Sequence, residues 1–380
     1  MKNKKQLKIG VIVDGVGWSY TAWRHPDMPA NASESVDFYV RKAKRAEEGK
    51  FDMVFLADVS HIGPGNIPHY LSMFEGVTIL SALSMATSRI GLAATIATSY
   101  ADPFTVARQM ASLDKISNGR AAWNAITSNP GGLANYSRRH LSKGDLYPMN
   151  KEFIEIVEGL WDSYEDDAFI RDKESGIFFN PRKMHPLNYR GKYFSVDGPL
   201  NISRSPQGRP VIFQAGTSET FMDIAAKHAE GVLINGDDLH YAKQFSEELR
   251  RRVALARRSP EDILMMPTQH IIVGRTEMEA NEKYQELKRL SPPGYFTPKP
   301  PFFGSAETVA DMIDHWHQMG AMDLLLLRQE HPSGIDDFID LVVPILQDKG
   351  IFRREYESTT LRGHLGLPYP ENRYANYLNR

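Results

Sequence analysis

The sequence predicts a closed (β/α)8 barrel, and three observations support this α/β fold class. Short apolar runs alternate with amphipathic stretches in eight successive units along the 380 residues. Several of these runs end in polar residues, as buried parallel strands do where they leave a sheet. The composition does not change between the two halves of the chain. An eight-unit alternation of this kind favours a closed barrel over an open sheet.

Each predicted unit begins with a short apolar strand and continues into a helix with apolar residues at helical spacing. The strands are predicted at Leu7 to Val13, Phe51 to Ala57, Ile90 to Ala97, Arg120 to Ser128, Pro210 to Gln214, Gly231 to Ile234, Ile263 to Val273 and Ala321 to Leu327. The helices are predicted at Ser35 to Gly49, Val77 to Ala86, Val106 to Ile116, Met149 to Ser163, Glu219 to Ala229, Tyr241 to Arg257, Thr276 to Leu290, Ser305 to Met319 and Gly334 to Gln347.

We expect a single domain over residues 1–380, with three segments outside the alternation. Residues 164–209 form an insertion after the fourth helix, residues 291–304 form a Pro-rich loop before the last unit, and residues 350–380 form a C-terminal tail. The first segment has no strong period, and a structureless stretch of that length is unusual in a compact domain unless it is a lid or an insertion.

Charge and composition exclude several classes of function. The net charge of −2 favours neither nucleic acid nor an anionic membrane as a partner. The chain has no cysteine, which excludes disulfides, thiolate metal sites and cysteine nucleophiles. The N-terminal apolar run stops at Asp14, too early for a signal peptide or a spanning helix. We therefore expect a cytoplasmic protein.

Polar residues follow the predicted strands, and in a barrel these strand ends converge on one mouth. They are Asp58, Thr95, Thr98, Asn124, Thr127, Ser128 and the segment Gly216-Thr217-Ser218. Gly216-Thr217-Ser218 precedes a helix, so its N–H groups and hydroxyls form a cradle for a phosphate. Ser218 is equally suited to be the N-cap of that helix, and the two roles are compatible. The polar end at Asn124 is compatible with a simple turn as well as with a site.

Other kinds of site lack support in the sequence. No Gly-x-Gly-x-x-Gly follows a strand and no phosphate-binding P-loop is present. No His-x-x-x-His pair occurs, and we predict no metal site. Carboxylate pairs from distant strands, as in glycoside hydrolysis, stay open. The residues alone thus predict a barrel that binds a small anionic or phosphorylated ligand.

With these motifs in view, the chain resembles the bacterial luciferase-like flavin monooxygenases. It is most similar to the branch with nitrilotriacetate, dibenzothiophene-sulfone and long-chain alkane monooxygenases. The resemblance is carried by Ala22-Trp23-Arg24-His25-Pro26, by Gly49 to Asp58, by Gly119 to Asn124, by Gly159 to Ala168, by His185-Pro186, by Gly191 to Phe194, by Ser205 to Ile212, by Gln214 to Glu219 and by Glu355 to Pro368. These ordered motifs run from near Lys8 to the tail.

The resemblance implies a monooxygenase that uses O2 and reduced FMN supplied by a separate NAD(P)H:flavin reductase. Asp58, Thr95 and Asn124 would line the flavin ring and ribityl chain. Tyr147, Thr217 and Ser218, with the N–H groups after Gly216, would hold the phosphate. A homodimer or homotetramer is also implied. The protein would position the cofactor, exclude water and shield the reaction from wasteful loss.

The predicted site departs from the family pattern near Tyr147 and in the loop over residues 291–304. Near Tyr147 the family has an arginine where this chain has Met149, which removes one anion or helix contact. The excursion over residues 291–304 is shorter than in the family, so we expect a more open pocket with Tyr295, Phe296, Phe302 and Phe303 as a partial aromatic cover. The alternative is that these rings only pack the loop onto the barrel.

Catalytic and substrate-binding residues are harder to predict. His61, on the loop after Asp58, is the best candidate for holding substrate or a peroxide proton, although a loop histidine is often only solvated. Trp18 and Tyr20, on the loop after the first strand, are expected to be pocket walls. The leading function is oxygenation of a C–S, C–N or alkyl carbon centre of a small molecule. The alternatives are a flavin-binding protein without oxygenase activity and a deazaflavin-dependent oxidoreductase.

Overall fold

The described part of the chain forms a barrel of strands surrounded by helices. The computed structural model describes residues 6–127, 135–136, 142–295 and 298–375. Of the residues named in the sequence predictions, Ser128 and Phe296 lie outside these ranges. The strands are β1 (Lys8–Ile12), β2 (Met53–Leu56), β3 (Gly91–Ala97), β4 (Ala121–Ile126), β5 (Tyr189–Arg190), β6 (Ser195–Val196), β7 (Val211–Ala215), β8 (Gly231–Asn235), β9 (Leu264–Gly274), β10 (Phe302–Ser305) and β11 (Leu324–Gln329).

Eight strands close into a parallel barrel. Its order is β1-β2-β3-β4-β7-β8-β9-β11, and β11 pairs again with β1. The pairing of β8 with β9 removes the open edge that a sheet would otherwise have. The predicted (β/α)8 barrel is confirmed, and each of the eight predicted strands is present within a few residues of its predicted bounds.

The helices surround the barrel and mostly begin at a capping side chain. They are α1 (Val36–Glu48), α2 (Pro68–Leu71), α3 (Gly76–Ala86), α4 (Pro103–Ile116), α5 (Lys143–Trp161), α6 (Glu219–His228), α7 (Leu239–Leu255), α8 (Glu277–Leu290), α9 (Ala306–Gln318), α10 (Gly334–Asp337), α11 (Val343–Asp348) and α12 (Leu361–Leu365). Asp102, Asp238 and Thr276 cap α4, α7 and α8 by accepting backbone N–H groups. The predicted helix Gly334 to Gln347 is divided, because the five residues Phe338–Val342 form a π-helical turn between α10 and α11.

The two larger apolar cores follow from the alternation of side chains along the strands. One core joins strand residues to the surrounding helices and includes Trp123, which packs against Phe153 and Trp161 with ring centroids 5.8 and 6.3 Å apart. The other core fills the barrel and contains Ile12, Ala93, Ala122, Met266 and Leu326 among its strand residues. Trp123 therefore points away from the barrel interior, as its position next to Asn124 predicts.

The C-terminal tail closes the lower end of the barrel. Leu361 and Leu365 of α12 belong to the core inside the barrel. Beside them, Arg362 Nη2 donates to Glu230 Oε2 at 3.1 Å, and both side chains are buried. The sequence predicted only a tail here. The structure shows that it is a plug, and the opposite end of the barrel is the accessible mouth.

The two other segments outside the alternation have some regular structure. The insertion contains the short antiparallel pair of β5 and β6. The end of the Pro-rich loop forms β10, which pairs with the upper half of β9 from Ile271 to Gly274. Prolines before Phe302 masked this strand in the sequence. Among the described residues, no helix is both long enough and apolar enough to cross a membrane.

Candidate active site

Side chains at the mouth belong to the same face of the strands as the core inside the barrel. Thr95 lies two residues beyond Ala93, Asn124 two beyond Ala122, and Arg328 two beyond Leu326. Since side chains alternate along a strand, these polar groups project into the barrel above its apolar filling. These polar side chains therefore form the floor of the mouth, and the apolar core inside the barrel lies below them.

Asn124 and Thr95 form the centre of one half of this floor. They are partners in the register of β3 and β4, and Asn124 Nδ2 donates to Thr95 Oγ1 at 3.1 Å. Both residues are buried. Asn124 Oδ1 is also buried, yet it has no hydrogen-bond partner in the described part of the chain. Such an oxygen is costly to leave unsatisfied and is suited to accept a hydrogen bond from a ligand.

Asp58 stands next to this pair at the end of β2. Its carboxylate accepts from the N–H groups of Val59 at 2.7 Å and Gly76 at 3.3 Å. Burial raises the pKa of Asp58, and these two N–H groups act in the opposite direction by favouring the ionised form. Asp58 and Thr95 line a small cavity of about 140 Å³, and Asp58 also lines a neighbouring one of about 540 Å³.

The predicted phosphate cradle lies at the start of α6. Ser218 caps the helix by accepting from Phe221 N at 3.2 Å, and its hydroxyl donates to Tyr147 Oη at 3.1 Å. Thr217 and Ser218 are exposed. A Cβ on Gly216 would lie 2.7 Å from the Phe221 ring, so only glycine fits this approach to the helix. The first N–H groups of a helix have no partner inside it, so they are available to an anion.

The other half of the mouth, at the ends of β1 and β11, contains a buried ion pair, and we call it the ionic half. Arg328 Nε lies 2.8 Å from Asp14 Oδ2, and both side chains are buried. The guanidinium also stacks on Trp18, with Cζ 3.5 Å from the ring centroid. Tyr70 meets the same tryptophan edge-on at 5.4 Å. Burial, and then Asp14, raise the pKa of Tyr70, which stays a neutral hydrogen-bonding wall.

A large cavity opens above this ionic half and has a volume of about 720 Å³. It is lined by Trp18, Ser19, Gly65, Asn66, Ile67, Tyr70, Asp237, His270, Tyr295, Pro298, Lys299, Pro300, Pro301 and Glu330. Inside it, His270 Nδ1 and Glu330 Oε1 are hydrogen-bonded. Tyr70 lines this cavity as well as the one beside Asp58, so the two spaces adjoin.

Predicted residues on the loops take different places. Trp18 lines the large cavity, whereas Tyr20 supports its wall by donating to Gly65 O and packing edge-on against Tyr295 at 5.2 Å. His61 is exposed and lines the cavity beside Asp58. Tyr295 and the prolines that follow it border the large cavity, as the expected cover would.

Phe302 and Phe303 do not form part of that cover. Phe302 is 1% exposed and packs on Trp316 of α9, with ring centroids 5.9 Å apart. Phe303 is buried against Tyr284 of α8 at 6.0 Å. Both belong to β10, whose pairing with β9 directs these rings into the helix layer. The alternative, that these two aromatics pack the loop onto the barrel, is the one the structure supports.

The structure also brings together three groups that have the composition of a metal site. His25 Nε2 lies 3.1 Å from Glu286 Oε1, and His331 Nε2 lies 3.7 Å from Glu286 Oε2. His25 Nδ1 accepts the N–H of Asp27 at 3.1 Å, so the neutral ring carries its proton on Nε2, toward the carboxylate. A metal would need the lone pair at that nitrogen. The cluster is therefore better explained as an electrostatic contact between two loops and α8.

Sequence reasoning missed the ionic half of the mouth. His270 and Arg328 are partners in the register of β9 and β11. A signal was present, because the consecutive polar residues Thr268, Gln269 and His270 interrupt the predicted apolar strand Ile263 to Val273. For Asp14, the sequence pattern predicts only the end of the first strand. Their proximity depends on barrel closure, which sequence spacing does not show.

The fold and mouth define a barrel with a polar floor at the strand ends and a mixed polar and aromatic cavity, an arrangement typical of a barrel enzyme. Residues 17–301 match the family model described as luciferase-like monooxygenase. The N-acetyl-S-(2-succino)cysteine monooxygenase of Bacillus subtilis (strain 168) is 42% identical, with 98% of this chain and 99% of that protein covered. Nitrilotriacetate monooxygenase component A of Aminobacter aminovorans is 34% identical, with 99% of each covered.

A solved structure shows the same architecture. The crystal structure of a riboflavin lyase with modified FMN and riboflavin matches with a TM-score of 0.89 and 28% identity, covering 97% of this chain and 98% of that chain. The chain belongs to the luciferase-like monooxygenase family. It is an enzyme, and its class is monooxygenase.

Proposed function

We propose that this protein is the oxygenase of a two-component system that uses reduced FMN and O2. The observation that carries the proposal is a pair of features at the strand ends: a buried, unpartnered Asn124 Oδ1 next to Thr95, and a close turn at Gly216 that leads into the start of α6. A phosphorylated flavin has both an anion for the cradle and polar ring and chain atoms for the floor. The family supports the same cofactor, since one structural neighbour contains modified FMN.

The residues present fit FMN in chemical type. Tyr147, Thr217 and Ser218 would hold the phosphate with their hydroxyls and with the N–H groups at the start of α6. Thr95, Asn124 and Asp58 would hold the ribityl chain and the ring edge. Met149, which replaces the family's arginine, is 5% exposed and packs inside, so it contributes no charge to this cradle.

Each half of the mouth has its own task. FMN, when reduced and bound, supplies the electrons that activate O2. Asp58 and Asn124 hold the cofactor in a fixed position, and the apolar core inside the barrel excludes water from below. The large cavity holds the substrate between Trp18, Tyr70 and Tyr295. His61, exposed beside Asp58, stays a proposed proton-holding residue.

The substrate we propose is a small organic molecule oxygenated at a carbon next to sulfur or nitrogen or at an alkyl carbon. The relative at 42% identity is named for an S-substituted cysteine, and the relative at 34% identity is named for nitrilotriacetate. The cavity suits such molecules, because aromatic walls meet polar groups at Asn66, His270 and Lys299. An S-substituted cysteine is therefore the first substrate to test.

We also propose a separate NAD(P)H:flavin reductase as partner, because the relative at 34% identity is named as a component A. Reduced flavin would pass between the two proteins by diffusion or in a transient complex. A homodimer or homotetramer and a cytoplasmic location, where NAD(P)H is made, complete the proposal.

Anaerobic titration followed by an oxygen pulse tests the proposed function. The protein is expected to bind reduced FMN, and the pulse should produce a near-UV absorbing intermediate that decays faster with substrate present. Binding without this intermediate would indicate a flavin-binding protein without oxygenase activity. No binding of reduced FMN would contradict both.

A further inference from the structure

His270 is held in one orientation inside the substrate cavity. It lies on β9, two positions beyond Thr268 on the face that continues the barrel interior. Its Nδ1 is hydrogen-bonded to Oε1 of Glu330, the residue that follows β11. The side chains are 25% and 14% exposed, so the bond is shielded while the ring still reaches the cavity.

The bond fixes which ring nitrogen is available. An ionised Glu330 only accepts hydrogen bonds, so Nδ1 of the neutral ring carries the proton and Nε2 carries the lone pair. The contacts of the described residues leave Nε2 for a ligand in the cavity. A carboxylate that orients an imidazole in this way also stabilises the imidazolium that forms when Nε2 takes a proton.

Other histidines near the mouth lack this combination. His69 is buried with Nδ1 at 2.9 Å from Ser33 Oγ, and burial lowers its pKa. His61 is exposed and lines a different cavity. Only His270, among the described histidines, both lines the large cavity and is oriented by a carboxylate.

We propose that His270 is the proton-transfer residue that cleaves the oxygenated substrate, with Glu330 as its positioning residue. This inference rests on the proposed function and narrows its substrates to molecules with a C–H bond next to sulfur or nitrogen. Oxygenation places a hydroxyl on that carbon. Nε2 takes the hydroxyl proton, the C–O bond becomes C=O, and the C–S or C–N bond breaks with its electron pair. The departing sulfur or nitrogen then takes the proton from Nε2, so no further oxidant is needed.

Several charged groups surround His270 and bear on any pH dependence. Glu330 and Asp237 face it within the cavity, Lys299 and Tyr295 border the rim, and Arg328 lies beside it on β11. Arg328 is already paired with Asp14. Of these groups, Glu330 is the one that contacts the His270 ring directly, through the hydrogen bond to Nδ1.

Thiol release from N-acetyl-S-(2-succino)cysteine, in the presence of reduced FMN and O2, tests the inference. The chain has no cysteine, so a thiol reagent detects product only. In His270→Gln, we expect the rate to fall about 100-fold, with binding of reduced FMN unchanged. Glu330→Gln should also lower the rate, because its amide can donate to Nδ1 and move the ring proton to Nε2. His315→Gln, on an exposed position of α9, is the matched control and should match the wild type.

Two readouts separate catalysis from a structural role. Imidazole added to His270→Ala should restore part of the rate, and the acidic limb of the kcat/KM profile should disappear in His270→Gln. Wild-type thiol release by His270→Gln, or no response of His270→Ala to imidazole, would overturn the inference. A failure of the proposed function would look different, since the wild type itself would then release no oxygen-dependent product.

Discussion

Asn124 Nδ2 donates to Thr95 Oγ1 at 3.1 Å across the β3–β4 pair, and this bond orients the whole amide. Because the nitrogen is occupied, the buried amide oxygen is the acceptor left free, and it has no partner among the described residues. The barrel thus holds a fixed acceptor that a bound molecule can satisfy.

Asn124→Ala is expected to weaken binding of reduced FMN. Loss of one buried hydrogen bond corresponds to roughly 1.4 kcal/mol, or about a tenfold higher Kd. Anaerobic titration calorimetry measures this. Asn180→Ala removes an asparagine that caps a short helix in the insertion, and it should leave the Kd unchanged. Equal Kd values for Asn124→Ala and wild type would refute the assigned contact.

Tyr147→Phe tests the phosphate cradle by comparing two ligands. The variant loses only the hydroxyl that meets Ser218 at 3.1 Å. FMN should bind about tenfold more weakly, since roughly 1.5 kcal/mol is the contribution of a hydrogen bond to a charged group. Riboflavin, which has no phosphate, should bind as it does to the wild type. A parallel loss for both ligands would place the phosphate elsewhere.

Ser218→Ala and Ser305→Ala separate capping from ligand binding. Each serine caps its helix by accepting an N–H at 3.2 Å, from Phe221 and Thr308 respectively. Both variants should lose about 1 kcal/mol in the free energy of unfolding. Only Ser218→Ala should also lose affinity for FMN. If the two variants bind FMN equally well, Ser218 is a cap and nothing more.

Much of this architecture was predictable from local pattern. The spacing of apolar residues predicts all eight barrel strands. It also predicts that the polar strand ends at Thr95 and Asn124 meet at the mouth of the barrel. Contacts that depend on closure of the barrel were not predictable from the sequence. His270 and Glu330 are 60 residues apart, and β9 and β11 become neighbours only in the closed barrel. The prediction that Phe302 covers the pocket was wrong for a related reason. An aromatic residue can cover a pocket or belong to a strand, and here the pairing of β10 with β9 places Phe302 in a strand.

His364 should make stability depend on pH. Burial, with Arg353 nearby, lowers its pKa from 6.5 to about 4. The unfolded chain then binds more protons than the folded chain between these values, so stability is lost as pH falls from 6.5 toward 4. Between pH 7 and pH 5 the wild type should lose about 2 kcal/mol more than His364→Gln. Urea unfolding at both pH values measures this, and parallel losses would contradict it.

Arg362 is expected to be essential to the plug below the barrel. Burial raises the pKa of Glu230, but the charges of Arg362 and Arg209 lower it by more. The pKa of Glu230 therefore lies below its ordinary value. Arg362→Met would leave that carboxylate uncompensated and should cost about 3–5 kcal/mol of unfolding free energy. Adding Glu230→Gln should restore part of it.

Arg354→Met is the matched control for that experiment, because the Arg354–Asp348 pair is exposed. Its loss should cost at most about 1 kcal/mol. Similar melting temperatures for the Arg362 and Arg354 variants would show that the buried pair does not hold the plug.

The central claim is that one atom of O2 enters a substrate bound above Trp18 and His270. Turnover with ¹⁸O2, reduced FMN and N-acetyl-S-(2-succino)cysteine, extended to amine and alkyl substrates, tests it most directly by mass spectrometry. The account predicts one ¹⁸O atom in the carbonyl or hydroxyl product and the other in water. Products that contain no ¹⁸O, or hydrogen peroxide as the only fate of O2 with every substrate, would contradict it.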